Sequence, residues 1–393
     1  MNLFLFAAGL GTRLRPLTDQ MAKPAVPLLN VPLMHWCASF IEASLGNEFS
    51  QTIEQIIVNT HHKPESLHPV AQDLPLVFPS SKNALHFSHE SPEPLGAGGA
   101  LMHARGHLDR AHSDLVLVAN ADEFLMDGAE THSESLRALV NRHTQSKAIA
   151  TLLVMEHPEA GRSMGAAWVE PSATNAYRIL GFGRESAKWP PHAQPKHYVG
   201  MALVNWSEIQ KYLPSKGASC LLYDGLTSAI ADGARVEAFS AELVWTETGS
   251  VNHLLEATDR ALDALSPLSM ATQQFKFVSS VLSKRHPGDY RHWQFGQSAR
   301  ALIACSGSSP ESRNELFSLM KSIASRRLRE SVDGRDRGRE HEMQPLTVVV
   351  GQGIERALTW LRAVDRSEPQ VQSQASSAAV APDASSESTH LFF

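Results

Sequence analysis

Apolar positions along the chain follow two rhythms. Unbroken runs at 3–8, 56–59, 114–120 and 148–155 have the length and polar borders of buried strands. Between the first two, residues 33–45 set Leu33, Cys37, Phe40, Ile41 and Leu45 on one helical stripe, which Gly46 and Asn47 end. That stripe makes Cys37 a core residue rather than a nucleophile. Helices are also expected from Pro64 onward, from the end of a glycine-rich run at Leu101 to about residue 108, and over 133–144, with an alternating strand at 84–88. Strand and helix alternate, which predicts an α/β fold: a mostly parallel, Rossmann-like sheet with helices on both faces.

From 161 to 205 the pattern changes. Strand-like runs at 165–170, 177–182 and 198–204 are separated by Pro, Gly and Asn, predicting a smaller antiparallel portion. A helix at 219–231, strands at 236–239 and 243–245, and a helix from about 250 to 265 follow. The expected organisation is one domain over 1–265, a mainly helical extension over 266–365, and a disordered Ser, Ala, Gln and Pro-rich tail over 366–393. Within the extension, 271–282 and 312–328 read as helices and 331–342 as a solvated, charge-dense loop. Residues 345–362 read as a strand, a glycine turn and a helix.

Composition narrows the class. The chain has 393 residues, room for two domains or one large one with an appendage, and its hydrophobic fraction of 42% is ordinary for a globular protein. A net charge of −6 with no long basic run argues against a nucleic-acid partner held by bulk electrostatics. Cys37, Cys220 and Cys305 lie far apart, which disfavours disulfides and structural zinc and suits a reducing compartment. The first apolar run is too short for a signal peptide, and no stretch of about 20 apolar residues could span a membrane. A cytoplasmic protein with no membrane partner is expected, with self-association left open.

Candidate chemistry gathers just past the strand ends, where ligands sit in open α/β sheets. Gly9 and Gly11 bracket Leu10 at the exit of the first strand, where backbone N–H groups can converge on an anion. Arg13 adds a planar fork of donors and Lys23 a point charge, while Pro24 biases Lys23 toward extended backbone. Ala8, Gly9, Gly11, Thr12, Arg13 and Lys23 together suit a nucleoside triphosphate. A dinucleotide fingerprint would need Gly where Leu14 stands, and a P-loop would need a Gly-Lys-Ser/Thr run that is not there. His61, Glu90 and Asp122 also follow strands. Neighbouring His61 and His62 cannot face one metal on a strand, so solvent or substrate contact is favoured for them. His103 and His107 have helical metal-pair spacing but no evident third ligand, which favours a solvated face.

The pattern G-x-G-T-R-x-x-P-x-T…K-P from Gly9 to Pro24 resembles that of the sugar-1-phosphate nucleotidyltransferases. So do the run from Leu95 to Leu101, similar to the family's L-G-T-A-G-A-L, and the turn Asn120-Ala121-Asp122. The likeness covers roughly residues 1–260. It implies Mg²⁺-dependent attack of a sugar-1-phosphate oxygen on the α-phosphorus of an NTP, giving an NDP-sugar and pyrophosphate, with no protein nucleophile. Arg13 and Lys23 would carry the catalytic charge, and Gly96 and Glu90 would lie against the base. A carboxylate at 90 suits guanine's adjacent N–H donors. The resemblance also makes the antiparallel portion the sugar-binding one, with Asn120, Gly165, Glu185 and Gly200 on the sugar side. Asp122 and Glu247 would hold the metal. Two positions depart from the family. Glu247 stands in Trp245-Thr-Glu-Thr-Gly-Ser where Asp is usual, and Ser186 replaces a sugar-phosphate Lys that Arg184 or Lys188 would have to supply. Two rival readings are a catalytically degenerate nucleotide-sugar-binding subunit and a cytidylyltransferase acting on a non-sugar phosphate.

Overall fold

In the computed structural model the described residues are 1–285, except 16, 30, 79–83, 129–133, 174, 185 and 266–271. The elements expected at 312–328, 331–342, 345–362 and 366–393 lie outside them. The chain divides into two compact units, Met1–Ala257 with Asp263–Val281, and Thr258–Leu262 with Leu282–Phe393. The first runs past the boundary expected at 265.

Thirteen strands are described. They are β1 (Asn2–Phe6), β2 (Pro27–Leu28), β3 (Val31–Pro32), β4 (Gln55–Thr60), β5 (Leu85–His89), β6 (Leu115–Asn120), β7 (Phe124–Asp127), β8 (Ala150–Met155), β9 (Ala166–Ala173), β10 (Ala176–Gly183), β11 (Gln194–Asn205), β12 (Val236–Ser240) and β13 (Leu243–Thr246). Nine form one sheet in the order β5-β4-β1-β6-β11-β8-β12-β10-β9. The first four are parallel to one another, as the alternation of strand and helix predicts.

The sheet is mixed, not mostly parallel with a separate antiparallel portion as the pattern predicts. β11 runs antiparallel between β6 and β8 and also pairs with β9, so the strands from 166 to 205 complete the same mixed sheet. β11 is a single strand of 12 residues, not the short run expected at 198–204, and it reaches from the parallel half to the hairpin. The β9–β10 hairpin needs no helical crossover, so it adds to the sheet without leaving it.

The unbroken apolar strands are buried on both faces. Leu3, Phe4, Leu5, Ile56, Ile57, Val58 and Val116 to Ala119 are fully covered. The helix Leu33–Ser50 packs against one face, with backbone at Gly46 (φ 67°, ψ 170°) breaking it where the sequence places its end. Trp36 meets Phe124 edge-on at 5.3 Å, and Phe277 from the helix Gln273–Arg285 lies 6.1 Å from Trp36. Phe277 is thereby part of the first unit's core. Cys37 is buried in this helix.

β7 was not anticipated. It pairs antiparallel with β13 in a small second sheet, Phe124 opposite Thr246 and Leu125 opposite Trp245. That pairing carries the residues after β13 back to the turn after β6. Among the described residues no helix is long and apolar enough to cross a membrane.

Candidate active site

At the carboxyl ends of β1, β4 and β6 lies a cavity of about 320 Å³. Its wall includes Ala8, Gly9, Lys23, Glu90, Gly96, Asn120 and Asp122. The glycine loop leaves β1 and tightens into a 3₁₀ turn over Thr12–Leu14. Gly11 makes the bend in the left-handed region (φ 61°), and a Cβ there would stand 2.8 Å from the Thr18 methyl. The Thr18 hydroxyl donates to the Gly11 carbonyl at 2.8 Å, and the Leu14 N–H donates to it at 2.9 Å. Arg13 projects outward from the turn.

Two ion pairs organise the cationic side. Lys23 Nζ lies 2.7 Å from Asp122 Oδ2, both side chains largely covered. Arg13 Nη1 lies 2.7 Å from Glu247 Oε1, and His253 Nδ1 lies 3.3 Å from Glu247 Oε2. The two pairs are neighbours along the protein's own bonds. Thr248 Oγ1 donates to the Asp122 carbonyl at 2.5 Å, one residue past Glu247. A Cβ on Gly249 would stand 2.5 Å from Glu247 Oε1 and 2.7 Å from Arg13 Nη2, so a side chain there would displace the ends of both charged groups.

Glu90 is fully buried on the opposite wall. One carboxylate oxygen accepts from Asn59 Nδ2 at 2.7 Å, and the other from the Leu95 N–H at 2.6 Å. Asn59 in turn accepts from the Ala7 N–H at 2.6 Å. Glu90 thus joins the exit of β1, the end of β4 and the start of the glycine-rich helix Gly96–His103. Two of the carboxylate's acceptor positions are used internally and the others remain. Gly98 and Gly99 in that helix serve packing, since each N–H donates to the Ser219 carbonyl, at 2.9 and 3.3 Å.

Among the sugar-side candidates, Asn120 and Gly200 meet. Gly200 (φ 81°) lies in β11, and a Cβ there would fall 2.5 Å from Asn120 Nδ2. Gly165 precedes β9, and a Cβ there would fall 2.9 Å from the Tyr223 hydroxyl. Glu185 lies outside the described residues, and Arg184 is exposed.

His61 and His62, expected to meet solvent or substrate, and His103 and His107, expected on a solvated face, make contacts within the fold. His61 Nδ1 contacts the Glu90 carbonyl at 3.0 Å and His62 Nε2 the Thr18 carbonyl at 2.6 Å. His103 Nδ1 bonds Ser88 Oγ at 2.9 Å, and His107 stacks on His86 at 4.3 Å.

Sequence reasoning missed Glu123. Its carboxylate is half-buried and accepts from Asn120 Nδ2 at 3.0 Å and from Trp245 Nε1 at 2.8 Å. Burial, then the neighbouring Asp122 charge, push its carboxyl up to about 7. Burial also raises the Cys37 thiol well above its ordinary value, so Cys37 is no nucleophile. His197, one face of Trp245 away (4.2 Å), has no hydrogen-bond partner at either ring nitrogen among the described residues. Burial, then His157, lower it to about 4, with Glu247 opposing. An acid directly after Asp122 was the only sequence signal for Glu123, and nothing marked His197.

A mixed α/β sheet with a glycine loop, two cations and three acids at its carboxyl edge has the make-up of a phosphate-handling enzyme. Residues 4–264, more than half of the chain, match the family model described as nucleotidyl transferase, and the chain belongs to that family. It is similar to the D-glycero-alpha-D-manno-heptose 1-phosphate guanylyltransferase of Aneurinibacillus thermoaerophilus, 27% identical over 47% of this chain and 70% of the relative. It is also similar to a glucose-1-phosphate adenylyltransferase of Clostridium botulinum, 23% identical over 70% of each. Among solved structures, UDP-glucose pyrophosphorylase complexed with UDP-glucose shares the fold, with TM-score 0.52, 17% identity, 66% of this chain and 97% of that one. UTP-bound UGPase from Acinetobacter baumannii does likewise, with TM-score 0.52, 21% identity, 70% of this chain and 96% of that one.

Proposed function

We propose that this chain transfers a nucleoside monophosphate from an NTP to a sugar 1-phosphate, releasing pyrophosphate. The observation that carries the reading is the Lys23–Asp122 pair at 2.7 Å on the wall of the cavity that the glycine loop also lines. The loop amides from Ala8 to Thr12 would bind the phosphates. Lys23 and Arg13 would turn from their carboxylates toward the triphosphate and offset the charge that builds on it as the α-phosphorus is attacked. No covalent intermediate on the protein is needed, because positioning and charge neutralisation are the main demands of phosphoryl transfer.

A divalent cation fits the donor set. Asp122 and Glu247 sit on loops tied by the Thr248 bond, and each faces a cationic side chain where a metal ion would otherwise offset its charge. Mg²⁺ characteristically takes one or two carboxylates together with substrate phosphates and water. When bound there it would draw off negative charge from the triphosphate. Glu90 would support the base-facing wall, while Asn120 and Gly200, with Gly165 and Glu185, would face the acceptor.

Support from relatives is consistent. The guanylyl- and adenylyltransferases named above each act, by name, on a sugar 1-phosphate. The test is a matrix of four NTPs against several sugar 1-phosphates, read by pyrophosphate release with and without Mg²⁺. The expected result is one preferred pair and no release without metal. Nucleotide binding with no turnover across the matrix would overturn the reading.

A further inference from the structure

The turn after β6 and the loop after β13 carry acids of the proposed site, Asp122 and Glu247, yet they stand more than a hundred positions apart in the chain. Four backbone registers of β7 against β13 bring them together, ending at Phe124 opposite Thr246. Beyond that register the two loops are free of sheet pairing. One side chain continues the tie past the end of the ladder. Glu123 Oε2 accepts from Trp245 Nε1 at 2.8 Å, and Glu123 Oε1 accepts from Asn120 Nδ2 at 3.0 Å. A Cβ on Gly200 would come 3.0 Å from Glu123 Oε1, so β11 closes over the same carboxylate.

The geometry points to Glu123 as a positioning residue that clamps the Asp122 turn to the Trp245–Glu247 segment and so sets the spacing of the two acids. The inference rests on the proposed function and deepens it. A carboxylate suits the task because both partners are N–H donors and it offers acceptor sites on two oxygens at a fixed separation. Thr248 adds a second, shorter link, to the Asp122 carbonyl at 2.5 Å, but it fixes backbone rather than the side chains that face the cavity. Glu123 itself touches none of the reacting groups. It acts through Asn120, Trp245 and the loops they belong to, as the partners that orient metal-binding side chains do elsewhere.

Three variants separate the clamp from a general loss of folding. Glu123→Ala removes both bonds. Trp245→Phe removes only the indole N–H and keeps the ring. Glu123→Gln keeps an acceptor for Trp245, and its amide can pair with Asn120 if that side-chain amide turns over. The first readout, independent of activity, is amide hydrogen exchange in the full-length chain. Glu123→Ala and Trp245→Phe should each speed exchange over 243–250 about tenfold while leaving residues 2–6 unchanged, and Glu123→Gln should stay within about twofold of the parent. The second readout is turnover. Both disruptive variants should raise the half-saturating Mg²⁺ concentration about tenfold, with the KM for NTP within about twofold, and the double variant should be no worse than Glu123→Ala alone.

Unchanged exchange over 243–250 in Glu123→Ala and Trp245→Phe would overturn the clamp, as would additive effects in the double variant. A Glu123→Gln protein as disturbed as Glu123→Ala would also overturn it, because charge rather than hydrogen bonding would then be the cause. If the parent chain turns over no NTP, the functional reading fails by itself, and the exchange comparison still decides the clamp.

Discussion

His197 gives the chain an acid-sensitive element whose size can be worked out. The imidazole is buried, 8% exposed, and its folded-state pKa is lowered to about 4 from an ordinary 6.5 by burial and by His157. Above pH 6.5 both folded and unfolded chains hold it neutral, and the stabilisation is complete. As the pH falls below 6.5 the unfolded chain takes up a proton that the folded chain refuses, so folding loses ground until the folded pKa is reached. At about 1.4 kcal/mol per pH unit, this one group removes about 2 kcal/mol by pH 5 and about 3 kcal/mol by pH 4. His197→Phe keeps the ring against Trp245 and removes the titration. Urea unfolding of both proteins from pH 5 to pH 8 isolates the effect, because each protein is compared with itself at pH 8. The parent should lose about 2 kcal/mol more than the variant on going to pH 5. Equal losses would refute the reasoning, since they would mean that His197 accepts its proton as readily folded as unfolded.

Other outcomes follow from the same structure. Lys23→Ala and Asp122→Ala should each cut Mg²⁺-dependent pyrophosphate release by about a hundredfold or more, measured at saturating NTP. Gly200→Ala should lower the melting temperature, because φ is 81° and the new Cβ meets Asn120 Nδ2 at 2.5 Å. It should also raise the KM for the acceptor more than that for the NTP in initial-rate assays. Glu237 is fully buried and held by Arg142 through two bonds of 2.9 Å and by Arg235 Nε at 2.6 Å, so replacing both arginines with Met should destabilise the fold by about 3 kcal/mol or more in chemical denaturation, and Arg142→Met alone by less.

Much of the parallel half could be read from the chain, because β1, β4 and β6 are buried on both faces and leave unbroken apolar runs. The helix from Leu33 was equally clear, down to the break at Gly46. β7 was missed for a physical reason. Phe124 to Asp127 is a four-residue strand in a two-stranded sheet, too short to show a period, and its pairing with β13 is a long-range event. The mixed character of the sheet was hidden similarly, since pairing direction depends on where β11 inserts and not on its own pattern. Within the site, Lys23, Gly96, Asn120 and Asp122 reach one cavity. Glu247 was placed through a motif rather than a pattern, and its nearness to Asp122 comes from the unanticipated strand pair. His197 carries no local signature, and Glu123 only its place directly after Asp122. Their character comes from what the fold presses against them.

The ion pairs bear on how the site would receive its ligand. Arg13 is 67% exposed against Glu247, and a pair that open contributes at most about 1 kcal/mol. Lys23 and Asp122 are more covered, at 16% and 22%, yet both still face the cavity rather than the core. Opening both pairs is therefore a small demand beside the charge-assisted bonds a triphosphate would return to Lys23 and Arg13. The same exchange leaves two carboxylates without their cations, which is the condition under which a divalent ion binds best. Phosphate and metal should accordingly bind cooperatively, each disposing of the charge the other uncovers. Titrating a non-hydrolysable NTP analogue with and without Mg²⁺ measures that coupling, and by linkage the nucleotide must tighten the metal by the same factor. Lys23→Met should weaken the coupling, because Asp122 would then hold no cation to release. Equal coupling in the parent and in Lys23→Met would show that the Lys23–Asp122 pair takes no part in it.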